Sequence, residues 1–233
     1  MQVNPPPSVL VTGAQSGLGK ATAIFFKSLG SHVFSIDKDN CDVTDFQKVS
    51  SFINSLSEIP RVWVNCAGVF QAQKILKMSS EEFKNIIDVN LIGSFNIIKC
   101  AAEKLAQLDP INSDGERGVI INTASIAAFE GQVGQVAYSA SKAGIAGMTL
   151  PLARELAPLG IRVMAIAPGP METPMATDKI SEKVKQALTS SIPFPKRFGY
   201  PEEFARLVHH IVENSYLNGS VIRLDAALRM AAT

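Results

Sequence analysis

Tyr138 and Lys142 stand four residues apart in YSASK, with only Ser139, Ala140 and Ser141 between them. On a helix that spacing puts the phenol and the ammonium on one face. A nearby ammonium favours the phenolate and lowers a tyrosine pKa that is ~10 when free. Tyr138 would then trade protons near neutral pH. Taken alone, two surface residues of an Ala/Ser-rich helix are the simpler explanation, so other positions have to decide. Ser125 lies thirteen residues before Tyr138. At the end of a strand that feeds a loop and then this helix, its hydroxyl could converge with the phenol on one substrate oxygen.

Other residues suit a nucleotide. TGAQSGLG carries Gly13, Gly17 and Gly19, with Ser16 and Leu18 among them. Glycines between a strand and a helix let the backbone approach a pyrophosphate, whose charge sits at the helix N-terminus. The spacing is G-x-x-x-G-x-G rather than G-x-G-x-x-G. Asp37 ends the next apolar run, 24 residues after Gly13. A carboxylate there accepts both adenosine ribose hydroxyls and repels a 2′-phosphate. The repulsion is about 4 kcal/mol per unit-charge pair at ~4 Å and an effective dielectric of ~20. NAD is therefore the expected cofactor and NADP is disfavoured, although Lys38 partly offsets the repulsion.

Asn65, Ala67 and Gly68 of NCAG should lie under the adenosine half of such a cofactor; a tight turn after a buried strand explains them almost as well. Pro168 and Gly169 begin PGPMETP, a rigid turn in which the Thr173 hydroxyl could meet a carboxamide. Asn90 falls inside a long helical pattern, where asparagine is a poor helix former. Its side chain competes for backbone bonds, which can open the helix locally and seat a water. Alone, Asn90 reads as incidental.

The apolar pattern supplies a scaffold that would bring these residues together. Runs at 8–14, 31–37, 61–68, 118–125, 161–169 and 219–226 read as strands. Helical patterns alternate with them at 19–30, 45–57, 79–108, 136–158 and 201–214. Several strands are apolar with little alternation, as expected when both sheet faces are covered. The pattern predicts a doubly wound parallel α/β domain, Rossmann-like. Ligands bind such sheets outside the carboxyl ends of the strands. TGAQSGLG, Asp37, NCAG, TAS and PGP all fall at those ends. Between Asp37 and Asp42 only KDNC intervenes, whereas a helix plus a returning parallel strand needs at least ~10–12 residues. The expectation is six main strands with 31–37 at one edge, one outer strand and its covering helix missing, and an adenine wall more open to water.

The 233 residues have one compositional texture, consistent with a single domain over 1–233 and a substrate loop at about 170–200. Hydrophobic residues make up 46% and charged residues 18%, enough for a large core; the net charge of +1 comes without a basic stripe, so no nucleic-acid partner is expected. Cys41, Cys66 and Cys100 fit neither a metal spacing nor a disulfide framework, and His32, His209 and His210 lack metal-ligand neighbours. No metal is expected, and reduced thiols suit a cytoplasmic location. No apolar run reaches the ~18 residues of a membrane span. MQVNPPPS resembles no targeting peptide.

In this order, TGxxxGxG, NCAG, Asn90, Ser125 and Tyr138-x-x-x-Lys142 are similar to the short-chain dehydrogenase/reductase family over essentially the whole chain. The resemblance implies Tyr138 as acid/base, Lys142 lowering its pKa and holding the nicotinamide ribose, and Ser125 on the reacting oxygen. It also implies a relay water at Asn90, Asp42 and Val43 at the adenine, Gln132 and Gln135 beside the substrate, and a homotetramer. The implied activity is NAD-dependent interconversion of a secondary alcohol and a ketone, foremost 3-hydroxyacyl-CoA and 3-oxoacyl-CoA. Ketoreduction of steroids, carbonyls or acyl-carrier-protein substrates is the alternative, and a non-catalytic NAD-binding scaffold is the alternative of another class. The resemblance also implies glycine at position 226, where this chain carries Ala226.

Overall fold

The computed structural model describes residues 6–178 and 181–232; part of the N-terminal stretch read above for targeting, and residues 179 and 180 of the expected substrate loop, lie outside them. Strands β1 (Val9–Thr12), β2 (Val33–Ile36), β3 (Val62–Asn65), β4 (Gly118–Thr123), β5 (Ile161–Pro168) and β6 (Val221–Leu224) form one sheet in the order β2-β1-β3-β4-β5-β6. Every pairing is parallel. Val9 registers with both Val33 and Val62, so the chain order reverses around β1. That reversal opens a crevice at the carboxyl ends, where such sheets bind ligands.

Alternate residues of each strand serve opposite faces. Leu10, Trp63, Ile120 and Val163 pack against helices α2 (Phe46–Asn54), α4 (Gly93–Leu105) and α5 (Val136–Leu156). Val9, Val11, Val64, Ile121 and Ile166 pack against α1 (Gly17–Ser28) and α8 (Pro201–Glu213), whose Phe26, Phe204 and Val208 are fully buried. Both faces are covered, which is why the strands read as unbroken apolar runs. No described helix is long and apolar enough to cross a membrane.

The expected missing strand is missing among the described residues, and β2 is an edge. Asn40 partly replaces it. Its Nδ2 donates to Ser35 O at 2.9 Å and its Oδ1 accepts from Asp37 N–H at 2.8 Å. One side-chain amide thus satisfies a carbonyl and an N–H that a neighbouring strand would have bonded. Cys41 N–H closes the turn on Asp37 O at 2.8 Å.

One helix differs from the sequence expectation. The pattern at 79–108 is not one helix: α3 (Ser80–Ile87) and α4 are joined by a π-helical turn, Asp88–Ile92. Asn90 sits in it and bonds outward to another segment, which widens the turn. The stretch at about 170–200, expected to be a substrate loop, carries α6 (Pro174–Thr177) and α7 (Glu182–Ser191). Near the far end of the sheet, Glu116 and Arg162 form a buried ion pair at 2.8 Å, and the same guanidinium donates to the carbonyls of Ile211, Val212 and Leu217.

Candidate active site

The crevice is a cavity of about 490 Å3 at the carboxyl ends of the strands. Gly13, Ser16, Gly17, Leu18 and Gly19 line its first wall. A Cβ on Gly13, where φ is +66°, would come 2.9 Å from Ala67 N, and one on Gly19 would come 2.2 Å from Gly13 O. Only glycine fits this packing of loop, helix and neighbouring turn. Ser16 is the N-cap of α1 but its side chain makes no capping bond, and no acid stands in the first turn. The first N–H groups of α1 therefore remain for an anion. A pyrophosphate fits this wall.

Asp37, Asp42 and Val43 line the next wall, so the short turn does deliver all three to the cavity. Burial pushes the Asp37 carboxyl above its ordinary value, while the Gln15 and Ala14 N–H groups pull it down. Asp42 is held low by the Thr44 N–H and hydroxyl, at 3.0 and 2.8 Å. Ala67 and Gly68 line the floor. Thr12 at the end of β1 fixes that turn, its Oγ1 accepting from Cys66 and Ala67 N–H at 3.1 and 3.0 Å.

Ser125, Tyr138 and Lys142 converge on the same cavity, with Pro168, Gly169 and Thr173 on its far side. Tyr138 and Lys142 project from the first two turns of α5. Ser125 follows β4, where its Oγ accepts from Ala127 N–H at 3.1 Å. Lys142 is 5% exposed and its Nζ donates to Thr123 O at 2.7 Å, 5.7 Å from the Tyr138 ring centre. Burial pulls the Lys142 pKa down to about 8. Burial also pushes the Tyr138 phenol up, against a hydrogen bond with Ser125 that lowers it. The lowering expected from YSASK is thus reversed here, because desolvation of the phenol prevails and the ammonium is turned to a carbonyl.

Other expected site residues lie elsewhere. Asn65 does not line the cavity; it is 3% exposed and its Nδ2 donates to Asn122 Oδ1 at 2.8 Å across β3 and β4. Asn90 is fully buried beside the wall. Its Oδ1 accepts from Val69 N–H at 2.8 Å, and its Nδ2 donates to Val69 O and Ser141 Oγ, each at 3.0 Å. Gln132 and Gln135 line a second cavity with Gln73, Leu76 and Ser139, not the first. The sequence reading gave no role to three further participants. Phe70 stacks edge-on against Tyr138 with centres 5.0 Å apart. Thr12 and Thr123 act through bonds made across the sheet. Phe70 left no spacing signal, because it meets the site only once strands and loops are assembled; Thr12 opens TGAQSGLG and Thr123 opens TAS, but their position in those motifs did not reveal their bonding partners.

A family model described as short chain dehydrogenase matches residues 39–184. A 3-hydroxyacyl-CoA dehydrogenase type-2 from Bos taurus is 49% identical, over 95% of this chain and 94% of that one. A 3-oxoacyl-acyl-carrier-protein reductase from Thermotoga maritima is 36% identical over 94% of this chain and 96% of the relative. The crystal structure of a 3-hydroxyacyl-CoA dehydrogenase type-2 from Mycobacterium avium superposes with a TM-score of 0.89 at 35% identity, covering 98% of each chain.

Proposed function

The chain belongs to the short chain dehydrogenase family, oxidoreductases that use a nicotinamide cofactor, and from that premise we propose that it interconverts 3-hydroxyacyl-CoA and 3-oxoacyl-CoA with NAD. The convergence of Ser125, Tyr138 and Lys142 on one cavity wall carries this proposal. The nicotinamide, when bound, supplies or accepts the hydride. Tyr138 gives the carbonyl oxygen its proton in reduction and takes it back in oxidation; a phenol held protonated by burial suits the first role. Ser125 holds that oxygen. Lys142 anchors the cofactor ribose. Asn90 holds Val69 and Ser141, and the Ser141 hydroxyl donates to the backbone carbonyl of Tyr138 at 2.7 Å, which fixes the first turns of α5 that carry the phenol; a water seated at Asn90 completes the proposed proton relay. Gln132 and Gln135, which line the second cavity, would meet only a substrate that extends beyond the first.

Asp37 selects NAD over NADP, and Asp42 and Val43 meet the adenine. The Thermotoga maritima relative supports a second reading, reduction of the 3-oxo group of a 3-oxoacyl chain carried on acyl carrier protein by the same residues. A scaffold without catalysis gives no reason to keep serine, tyrosine and lysine together. Residues Val136, Ala140, Ala143, Gly147 and Leu150 form an exposed, uncharged face of α5. That face supports pairing between subunits and, with the C-terminal strand, a homotetramer. Light scattering showing a monomer at micromolar concentration would remove the assembly.

The test of the chemistry is a steady-state screen of acetoacetyl-CoA, steroids and small ketones with NADH and NADPH. Acetoacetyl-CoA with NADH should give the highest kcat/KM. Tyr138→Phe should lose at least ~100-fold in turnover while NADH binding stays nearly intact. Near-wild-type turnover by that variant would sink the mechanism, and preference for NADPH would sink the role of Asp37.

A further inference from the structure

Ala226 and Ala227 adopt φ of +50° and +62°, the positive-φ residues other than glycine among those described. Two alanines in the left-handed region persist only where surrounding bonds over-determine them. Here the bonds are explicit. Asp225 Oδ1 accepts from Ala227 N–H at 3.1 Å, and its backbone carbonyl accepts from Leu228 N–H at 2.9 Å. Arg223 Nε donates to the other oxygen of Asp225 at 2.6 Å, and the guanidinium reaches the Glu130 carboxylate in bidentate fashion at 2.8 and 3.2 Å. Glu130 also accepts from Met230 N–H at 3.0 Å.

Glu130 belongs to the loop between Ser125 and Tyr138, so the tail is pinned to the loop that carries the reacting groups. Gln132 and Val133 of that loop donate to Ala231 O and Ala232 O, both at 3.2 Å. The turn also drives Leu228, 1% exposed, into a cluster with Ile126, Ile192 and Phe198. Ile126 directly follows Ser125. Ile192 and Phe198 bracket the end of the 170–200 loop. One buried side chain therefore shares a cluster with the neighbour of the reacting serine and two anchors of the loop expected to cover substrate.

We propose that the strained C-terminal turn, through Leu228 and its pin Glu130, positions the substrate wall of the pocket. Leu228 and Glu130 are positioning residues, acting through Ile126, Ile192 and Phe198. Substrate affinity depends on them, and affinity for the adenosine and pyrophosphate part of the cofactor does not, since those walls belong to α1, the 37–43 turn and the turn after β3. The proposal rests on the alcohol/ketone reading of Ser125 and Tyr138 for its kinetic arm alone.

The experiment compares Leu228→Ala, Leu228→Met and Glu130→Gln with wild type, using the full chain. Hydrogen exchange over 182–199 should quicken about tenfold in Leu228→Ala while β1 and β3 stay within about twofold. KM for acetoacetyl-CoA should rise at least about fivefold, with kcat and the NADH dissociation constant within about twofold. Leu228→Met should restore both, and Glu130→Gln should shift both in the same direction by less; should Leu228→Ala not fold, Glu130→Gln carries the test. Wild-type exchange at 182–199, or KM and NADH dissociation rising together as in a general loss of structure, would overturn the proposal. A wild-type enzyme inactive on acetoacetyl-CoA refutes the substrate reading alone, and the exchange arm still decides the proposal.

Discussion

Lys142 should make the cofactor-free protein less stable than it need be. Lys142 is 5% exposed, its ammonium donates to the Thr123 carbonyl, and burial lowers its pKa from the ordinary 10.5 to about 8. At 1.36 kcal/mol per pH decade, holding the charge in the folded state costs about 3 kcal/mol below pH 8. Between pH 8 and 10.5 the unfolded chain binds the proton more firmly than the folded one. Raising pH through that window therefore stabilises the fold and removes the cost. Lys142→Met fills a similar volume without charge and forfeits one hydrogen bond worth about 1 kcal/mol. At pH 7 the variant should be about 2 kcal/mol more stable, and the advantage should vanish or reverse by about pH 10.5. Urea denaturation of both proteins at one fixed protein concentration, at several pH values from 7 to 10.5, measures the gap directly. The variant should also be inactive. A gap that does not change with pH would show that the ammonium is solvated in the folded protein and would refute the reasoning.

Gly19→Ala would place a Cβ 2.2 Å from Gly13 O, so the loop must move; the NADH dissociation constant, measured by fluorescence, should rise at least about tenfold. Asn40→Ala removes both bonds that replace the missing strand and frees the turn carrying Asp37. Stability should fall by about 1 kcal/mol and NADH affinity several-fold, with kcat unchanged, and unaltered NADH affinity would separate the turn from the cofactor site. Glu116→Ala strands a guanidinium that is 7% exposed; urea unfolding should show a loss of about 3 kcal/mol or more, and a loss under about 1 kcal/mol would mean the carbonyls of Ile211, Val212 and Leu217 suffice.

Local chemistry made most of the architecture legible in the chain. Apolar runs and helical spacing fixed an alternating α/β order, because a buried parallel strand must be apolar on both faces and a covering helix on one. The four residues KDNC fixed the missing strand by length alone, since no chain that short can cross and return. Glycine, Asp37 and YSASK positions pointed to one edge of the sheet, where the cavity lies. What the tertiary structure decided were matters of partnership. Asn65 pairs with Asn122 and not with the cavity, and Asn90 turns a helix into a π-turn by bonding Val69, contacts 57 and 21 residues apart in the chain. The sign of the Tyr138 shift was likewise invisible: spacing placed an ammonium beside a phenol, but only packing revealed that both were stripped of water. Desolvation depends on what surrounds a group in three dimensions, and no spacing along a helix records it.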